Sequence, residues 1–200
     1  MKVGVLGGTF DPVHLGHLII AEEVRCKLEL AEVLFVPTGQ PWLKSHRSIA
    51  PAADRLEMLR RALESNPYFR ISTVDIDRPG PTYSVDTIAD LQKELGAETK
   101  LYFIMGLDAL AELPTWREPA RLAEMCQIVG ATRPGRPNFD LSSLEQAIPQ
   151  ASGRIMLLDV PQIGISSTDI RERVAQGPPI RYQVPESVEE YIREHQLYLR

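Results

Sequence analysis

The chain is poor in the features that mark most specialised protein classes. Only two of its 200 residues are cysteines, Cys26 and Cys126, and they stand far apart. That excludes a disulfide framework and a zinc-site spacing, and points to the reducing cytoplasm. A basic excess is also missing: 22 Lys and Arg face 27 Asp and Glu, a net charge of −5. This balance argues against a dedicated nucleic-acid binder. No apolar run approaches the ~18 residues that span a bilayer, so no membrane partner is expected. The start, Met1 to Leu6 followed by Gly7-Gly8-Thr9, lacks the apolar stretch and cleavage site of a signal peptide. Internal repeats and low-complexity tracts are absent, and nothing marks a second domain, so residues 1–200 read as one domain. A chain of this length buries roughly two-thirds of its unfolded surface and folds without staples. Its oligomeric state is open, a homo-oligomer included.

What is present is an alternation of short β-branched runs and longer amphipathic stretches. Val3–Leu6, Val33–Val36, Leu101–Met105, Ile128–Ala131 and Ile155–Leu158 read as strands, and Ile71–Ile76 as a further one. Continuous apolar runs such as Val33-Leu-Phe-Val36 mark strands buried on both faces. Helices are expected over Leu18–Leu28, over Ala52–Leu63 with a Leu56, Leu59, Leu63 stripe, and over Val85–Leu95. Two more close the chain, Ser167–Gln176 and Glu186–His195, divided by Gly177-Pro178-Pro179. The alternation predicts an α/β fold, Rossmann-like and doubly wound, with a mostly parallel sheet and helices on both faces.

The segment richest in chemistry is Gly7-Gly-Thr-Phe-Asp-Pro-Val-His-Leu-Gly-His17, between the first strand and the first helix. Ligands of open parallel sheets bind at that edge. Gly7 and Gly8 permit close backbone approach, and Gly16 leaves room where the helix begins. His14 and His17 share one face of a helical first turn, where free N–H groups already attract anions. No third ligand accompanies the pair, which disfavours a metal site. Neither the P-loop nor the Gly-x-Gly-x-x-Gly fingerprint occurs. Near the other end, Ser166 and Asp169 form a capping-box pattern that by itself describes an ordinary helix start. Arg171, one turn in, is not explained by capping and is placed to meet an anion. Two anion-ready helix starts suggest one polyphosphate held between them.

Gly7-Gly-Thr-Phe-Asp-Pro, His14-x-Gly-His17 and Ile165-Ser-Ser-Thr-x-Ile-Arg171 resemble the adenylyl- and cytidylyltransferase superfamily of nucleotidyltransferases. Gly106-Leu-Asp108 with Trp116, and Pro81-Thr-Tyr-Ser-Val-Asp-Thr87, are similar to the bacterial nicotinate-nucleotide adenylyltransferase branch. The resemblance spans nearly the whole chain. It implies transfer of the ATP adenylyl group to nicotinate mononucleotide, giving nicotinate adenine dinucleotide and pyrophosphate in NAD biosynthesis. Mg²⁺ would be carried with ATP. The implied ATP contacts are Gly7, Gly8, Thr9, Phe10, His14, His17, Gly106, Asp108, Ile165, Ser166, Ser167, Thr168 and Arg171. The helices from about 166 onward would complete that site. Lys44, Tyr83, Ser84, Trp116 and Arg133 are implied for the nicotinate nucleotide, with Trp116 as a stacking platform. His14, His17, Lys44 and Arg171 are the implied catalytic set. One departure is plain: many relatives carry Pro-Pro-His-Lys/Arg where this chain has Pro41-Trp42-Leu43-Lys44, with His46 close by. A pantetheine-phosphate adenylyltransferase would share both end motifs but is typically shorter and lacks the Asp108 and Trp116 arrangement. A non-catalytic nucleotide sensor would be expected to have lost His14, His17 or Arg171, and all three are present.

Overall fold

The computed structural model describes residues 1–41, 49–132, 139–161 and 163–199. Six strands form one sheet: β1 (Lys2–Gly8), β2 (Glu32–Pro37), β4 (Phe69–Ile71), β6 (Lys100–Gly106), β7 (Gln127–Thr132) and β8 (Ile155–Asp159). Their spatial order is β4-β2-β1-β6-β7-β8, and every neighbouring pair is parallel. The chain therefore winds outward from β1 in one direction and from β6 in the other. The crevice where the winding reverses opens at the carboxyl ends of these two strands, at Gly8 and Gly106.

The continuous apolar runs explain why the sheet is covered on both sides. In β2, Val33 and Phe35 enter one core while Leu34 and Val36 enter the other. In β6, Leu101, Phe103 and Met105 face the second core and Ile104 the first. Successive side chains of a strand point to opposite faces, so an unbroken apolar run needs a layer on each. The first core is closed by α1 (Leu15–Leu28), α2 (Ala52–Leu63), α8 (Ser167–Gln176) and α9 (Glu186–Glu194). The second is closed by α4 (Ser84–Leu95) and the shorter α5 (Leu107–Glu112), α6 (Pro119–Met125) and α7 (Leu141–Ala147).

The expected strand over Ile71–Ile76 is corrected. Pairing with β2 covers only Phe69–Ile71, and the chain then turns into α3 (Val74–Asp77). A helical turn lets the buried Asp75 carboxylate accept from Arg78 three residues on (2.6 Å), while Thr73 donates to Asp77 (2.6 Å). A strand would send Asp75 and Arg78 to opposite faces and leave a buried charge unpaired, and it would hold Thr73 and Asp77 too far apart along one face to bond. The α2 stripe is also shifted. Its buried positions are Arg55, Met58, Leu59, Ala62 and Leu63, and Leu56 is only half-buried. A short parallel ladder joins β3 (Gln40–Pro41) to β5 (Pro81–Thr82) and brings the chain to the start of α4.

Candidate active site

The loop between β1 and α1 is held by contacts from all sides. His14 is the N-cap of α1, and its N–H donates to His17 Nδ1 (3.2 Å). In the neutral ring this leaves the proton on Nε2, the tautomer that donates to an anion. The two imidazoles stack with centroids 3.6 Å apart, and the Phe10 ring meets His17 edge-on at 5.0 Å. His14 is 7 % exposed, and its Nδ1 is buried without a hydrogen-bond partner. Burial holds its pKa down at about 4, against a weaker opposing backbone hydrogen bond, so the ring is neutral near pH 7. The room left by Gly16 is taken by this ring: a Cβ there would lie 3.1 Å from His14.

The helix start at α8 docks on the same loop. Ser166 is its N-cap, accepting from the Asp169 N–H (3.1 Å), and Gly177 ends the helix in the left-handed region, as the sequence predicts. Ser167 Oγ donates to the Pro12 carbonyl (2.9 Å). Arg171 donates to the Asp11 carbonyl (2.7 Å) and to Thr168 Oγ1 (3.3 Å). The Asp11 side chain is buried, accepts from Tyr198 OH (2.8 Å) and Ala50 N–H (3.3 Å), and lies 3.8 Å from Arg171. Burial and the Asp11 charge push the Tyr198 hydroxyl far above its ordinary range, so it stays a donor. Residues distant in sequence thus converge on the Asp11–Pro12 peptide.

Next to this loop lies a cavity of about 270 Å³ lined by Gly7, Gly8, Thr9, Tyr83, Ser84, Trp116 and Arg117, among others. Its walls carry two unmet polar atoms, Thr82 Oγ1 and Trp116 Nε1, both buried without a partner. Buried polar atoms are seldom left so, and these two favour a ligand with its own polar groups. The indole packs edge-on against Phe103 at 6.3 Å. The Arg117 guanidinium lies over the Tyr83 ring at 4.6 Å. Asp75 also lines the cavity, paired with Arg78 and accepting from Thr87 Oγ1 (2.7 Å). Burial raises its pKa, and the Thr87 and Arg78 contacts oppose that rise.

The sequence-predicted residues do not all gather in one place. Gly7, Gly8 and Thr9 share the cavity with Tyr83, Ser84 and Trp116, whereas His14, His17, Ser167, Thr168 and Arg171 gather around the α1 and α8 starts. Gly106 and Asp108 sit at the carboxyl end of β6 and in the first turn of α5, Asp108 exposed and Gly106 with open space where a Cβ would be. Ile165 and Ser166 lead into α8. Ser84 is the first residue of α4, whose N-cap is Tyr83. Trp42, Leu43, Lys44, His46 and Arg133 lie outside the described residues. Sequence reasoning missed Thr82, Arg117, Asp75, Tyr198 and Arg55. Arg55 was findable, because it begins the i, i+3, i+4, i+7, i+8 buried stripe of α2.

Among the described residues no group of three or more His, Cys, Asp and Glu side chains could hold a metal ion, and no helix is long and apolar enough to cross a membrane.

The family profile described as Cytidylyltransferase-like matches residues 5–173. A Thermomicrobium roseum protein named "Probable nicotinate-nucleotide adenylyltransferase" is 51 % identical over 197 residues, covering 98 % of this chain and 91 % of its own. A Dehalococcoides mccartyi protein of the same name is 45 % identical over 200 residues, covering 100 % and 98 %. Among solved structures, Plasmodium falciparum nicotinic acid mononucleotide adenylyltransferase complexed with NaAD superposes with a TM-score of 0.77, at 21 % identity and 98 % and 97 % coverage. That likeness bears on the fold alone.

Proposed function

The chain belongs to the cytidylyltransferase-like family, and from that premise we propose that it is an adenylyltransferase joining ATP to nicotinate mononucleotide. The products are nicotinate adenine dinucleotide and pyrophosphate, a step of NAD biosynthesis. The observation that carries this reading is the adjacency of two unlike sites. A pair of anion-ready helix starts meets at the Asp11–Pro12 peptide, and a cavity with an indole wall opens beside it. The high identity to relatives of that name over the full chain supports it.

The chemistry asks for little besides positioning and charge. An oxygen of the mononucleotide phosphate attacks the α-phosphorus of ATP in line, the bond to the β-phosphate oxygen breaks, and pyrophosphate leaves with the electron pair. The attacking phosphate is already anionic near pH 7, so no strong base is required. Charge spreads over the phosphoryl group and the leaving group, and preorganised donors stabilise it. In this reading His17 Nε2–H and the neutral His14 ring donate to ATP phosphates. Arg171 and Lys44 offset the negative charge, and the N–H groups of Phe10, Ser167 and Thr168 complete the cradle. Mg²⁺ enters with ATP as part of the substrate. Gly106, Asp108, Ile165 and Ser166 border the adenosine side. Trp116 and Tyr83-Ser84 receive the pyridine, with Arg133 near the mononucleotide phosphate. The whole chain acts as one domain in the cytoplasm, where Cys26 and Cys126 stay free thiols.

Arg117 bears on the choice between acid and amide. Its guanidinium stacks on Tyr83 at the cavity wall, and a carboxylate gains a charge-assisted contact there that a neutral amide does not. The test is pyrophosphate release with Mg·ATP and nicotinate mononucleotide, nicotinamide mononucleotide or 4′-phosphopantetheine. Preference for the nicotinate nucleotide is expected, weakened in Arg117→Gln. Preference for phosphopantetheine would overturn the acceptor assignment, and no turnover with any acceptor would overturn the activity.

A further inference from the structure

We infer that Arg55, buried in α2 and outside the substrate-facing set, is the positioning residue that holds the phosphate-facing loop in its binding conformation. The inference rests on the adenylyltransferase reading and concerns how its ATP cradle is built.

Arg55 is 2 % exposed, and among the described residues no carboxylate lies within salt-bridge distance of it, although the charge of the nearby Asp11 offsets part of the cost of its burial. The guanidinium is spent on main-chain carbonyls instead. Nη1 donates to Thr9 O (2.9 Å) and to Thr38 O (2.8 Å), Nε to Ala50 O (3.1 Å), and Nη2 reaches Gly39 O at 3.5 Å. These acceptors come from three separate segments. The β1–β2 ladder ends at the Gly8–Pro37 pair, and the next two carbonyls along, Thr9 and Thr38, are the ones that share Nη1. Arg55 therefore continues the pairing of β1 and β2 past the point where the strands can pair with each other. Ala50 is fixed from both ends, because its N–H donates to the Asp11 carboxylate.

The loop needs such a hold. Phe10 is a non-glycine residue at φ 49°, in the left-handed region, and is itself 1 % exposed. A backbone in that region persists only where its surroundings impose it. The Thr9–Phe10 peptide is trans, so the Phe10 N–H points opposite to the Thr9 carbonyl. Gripping that carbonyl turns the N–H away from Arg55, and this N–H is one of the cradle donors of the proposed site. The arrangement demands a fork of donors aimed in several directions, which a guanidinium supplies and a lysine ammonium does not.

The test compares Arg55→Ala, Arg55→Lys and Met58→Ala, the last a fully buried neighbour on the same stripe. Each is measured for thermal unfolding, for kcat and KM with Mg·ATP and nicotinate mononucleotide, and for Mg·ATP binding by calorimetry. Displacing a loop by an ångström can cost about 100-fold in rate. Arg55→Ala is expected to lose kcat on that scale while still melting cooperatively, and Arg55→Lys to lose about tenfold. Met58→Ala is expected to keep kcat at temperatures below its own transition. Added ethylguanidinium should restore activity to Arg55→Ala and leave Met58→Ala unchanged. The inference is overturned if a folded Arg55 variant keeps kcat within about twofold of the wild type, or if Met58→Ala loses as much. Should Arg55→Ala fail to fold, Arg55→Lys decides alone. A wild type that transfers nothing to nicotinate mononucleotide would sink the parent reading. Mg·ATP affinity in wild type against Arg55→Lys would still judge Arg55, with equal affinity counting against it.

Discussion

The buried, neutral imidazole of His14 makes a measurable demand on stability. In the unfolded chain a histidine titrates near 6.5, whereas burial holds His14 at about 4 in the native state. Between those values the unfolded chain takes up a proton that the native protein refuses. The native state is the one with fewer protons, so its stability falls as pH falls through this window. The contribution is complete above pH 6.5, and below about 4 it is lost. One pKa unit corresponds to about 1.4 kcal/mol, so the full loss amounts to roughly 3 kcal/mol, a large share of a typical folding free energy. Denaturant unfolding at intervals from pH 7.5 to 4.5, for the wild type and for His14→Asn, isolates it as the difference between two slopes. Carboxylates held low by arginine partners, such as Glu22 beside Arg25 and Glu57 beside Arg60, both at about 2, lose their contribution only below the ordinary 4.5. Parallel curves for the two proteins between pH 6.5 and 4.5 would refute the reasoning. The same logic extends to the ligand. A triphosphate placed against His14 stabilises the imidazolium, so Mg·ATP binding near pH 6 should take up to about one proton per site. Calorimetry in buffers of different ionisation heat reads that uptake directly.

Three further perturbations probe separate parts of the site. His17→Ala should lower kcat by about 100-fold through loss of one preorganised donor, with the fold intact by circular dichroism; near-normal turnover would remove His17 from the phosphate site. Trp116→Ala should raise KM for nicotinate mononucleotide by roughly 10-fold or more, the scale of aromatic stacking on a flat base, and leave KM for Mg·ATP unchanged. An unaltered acceptor KM would show that the indole only packs on Phe103. Tyr198→Phe takes a hydroxyl donor from the buried Asp11 carboxylate and should cost about 1–2 kcal/mol in denaturant unfolding; a neutral result would mean that Ala50 N–H and Arg171 satisfy Asp11 without it.

The parts of this protein that local sequence determines are those whose physics is local. Unbroken apolar runs of four or five residues at Val33–Val36, Leu101–Met105 and Ile128–Ala131, too short for helices and rich in β-branched and aromatic side chains, mark strands covered on both faces, and they became the centre of the doubly wound sheet. The α8 boundaries were written in Ser166 and Gly177, because caps act on their own first and last turns. The strand-turn-helix carrying His14 and His17 was legible as well, but α1 begins at Leu15, three residues ahead of the expected Leu18, with His14 as its N-cap. Short helices such as Leu107–Glu112, Pro119–Met125 and Leu141–Ala147 were not, since six or seven residues carry too little propensity to declare themselves without a sheet to lie on. Ile71–Ile76 misled because its β-branched residues Ile71, Thr73, Val74 and Ile76 favour a strand locally, whereas Arg78 and Thr87, folded against Asp75, decide for a helical turn. The joining of the two halves of the candidate site was tertiary as well. Arg171 reaches the Asp11 carbonyl across 160 residues, Tyr198 reaches its carboxylate across 187, and Arg55 reaches Thr9 across 46. A buried charge is tolerable only where carbonyls or carboxylates wait for it, and those acceptors arrive from distant segments once the sheet has brought them together.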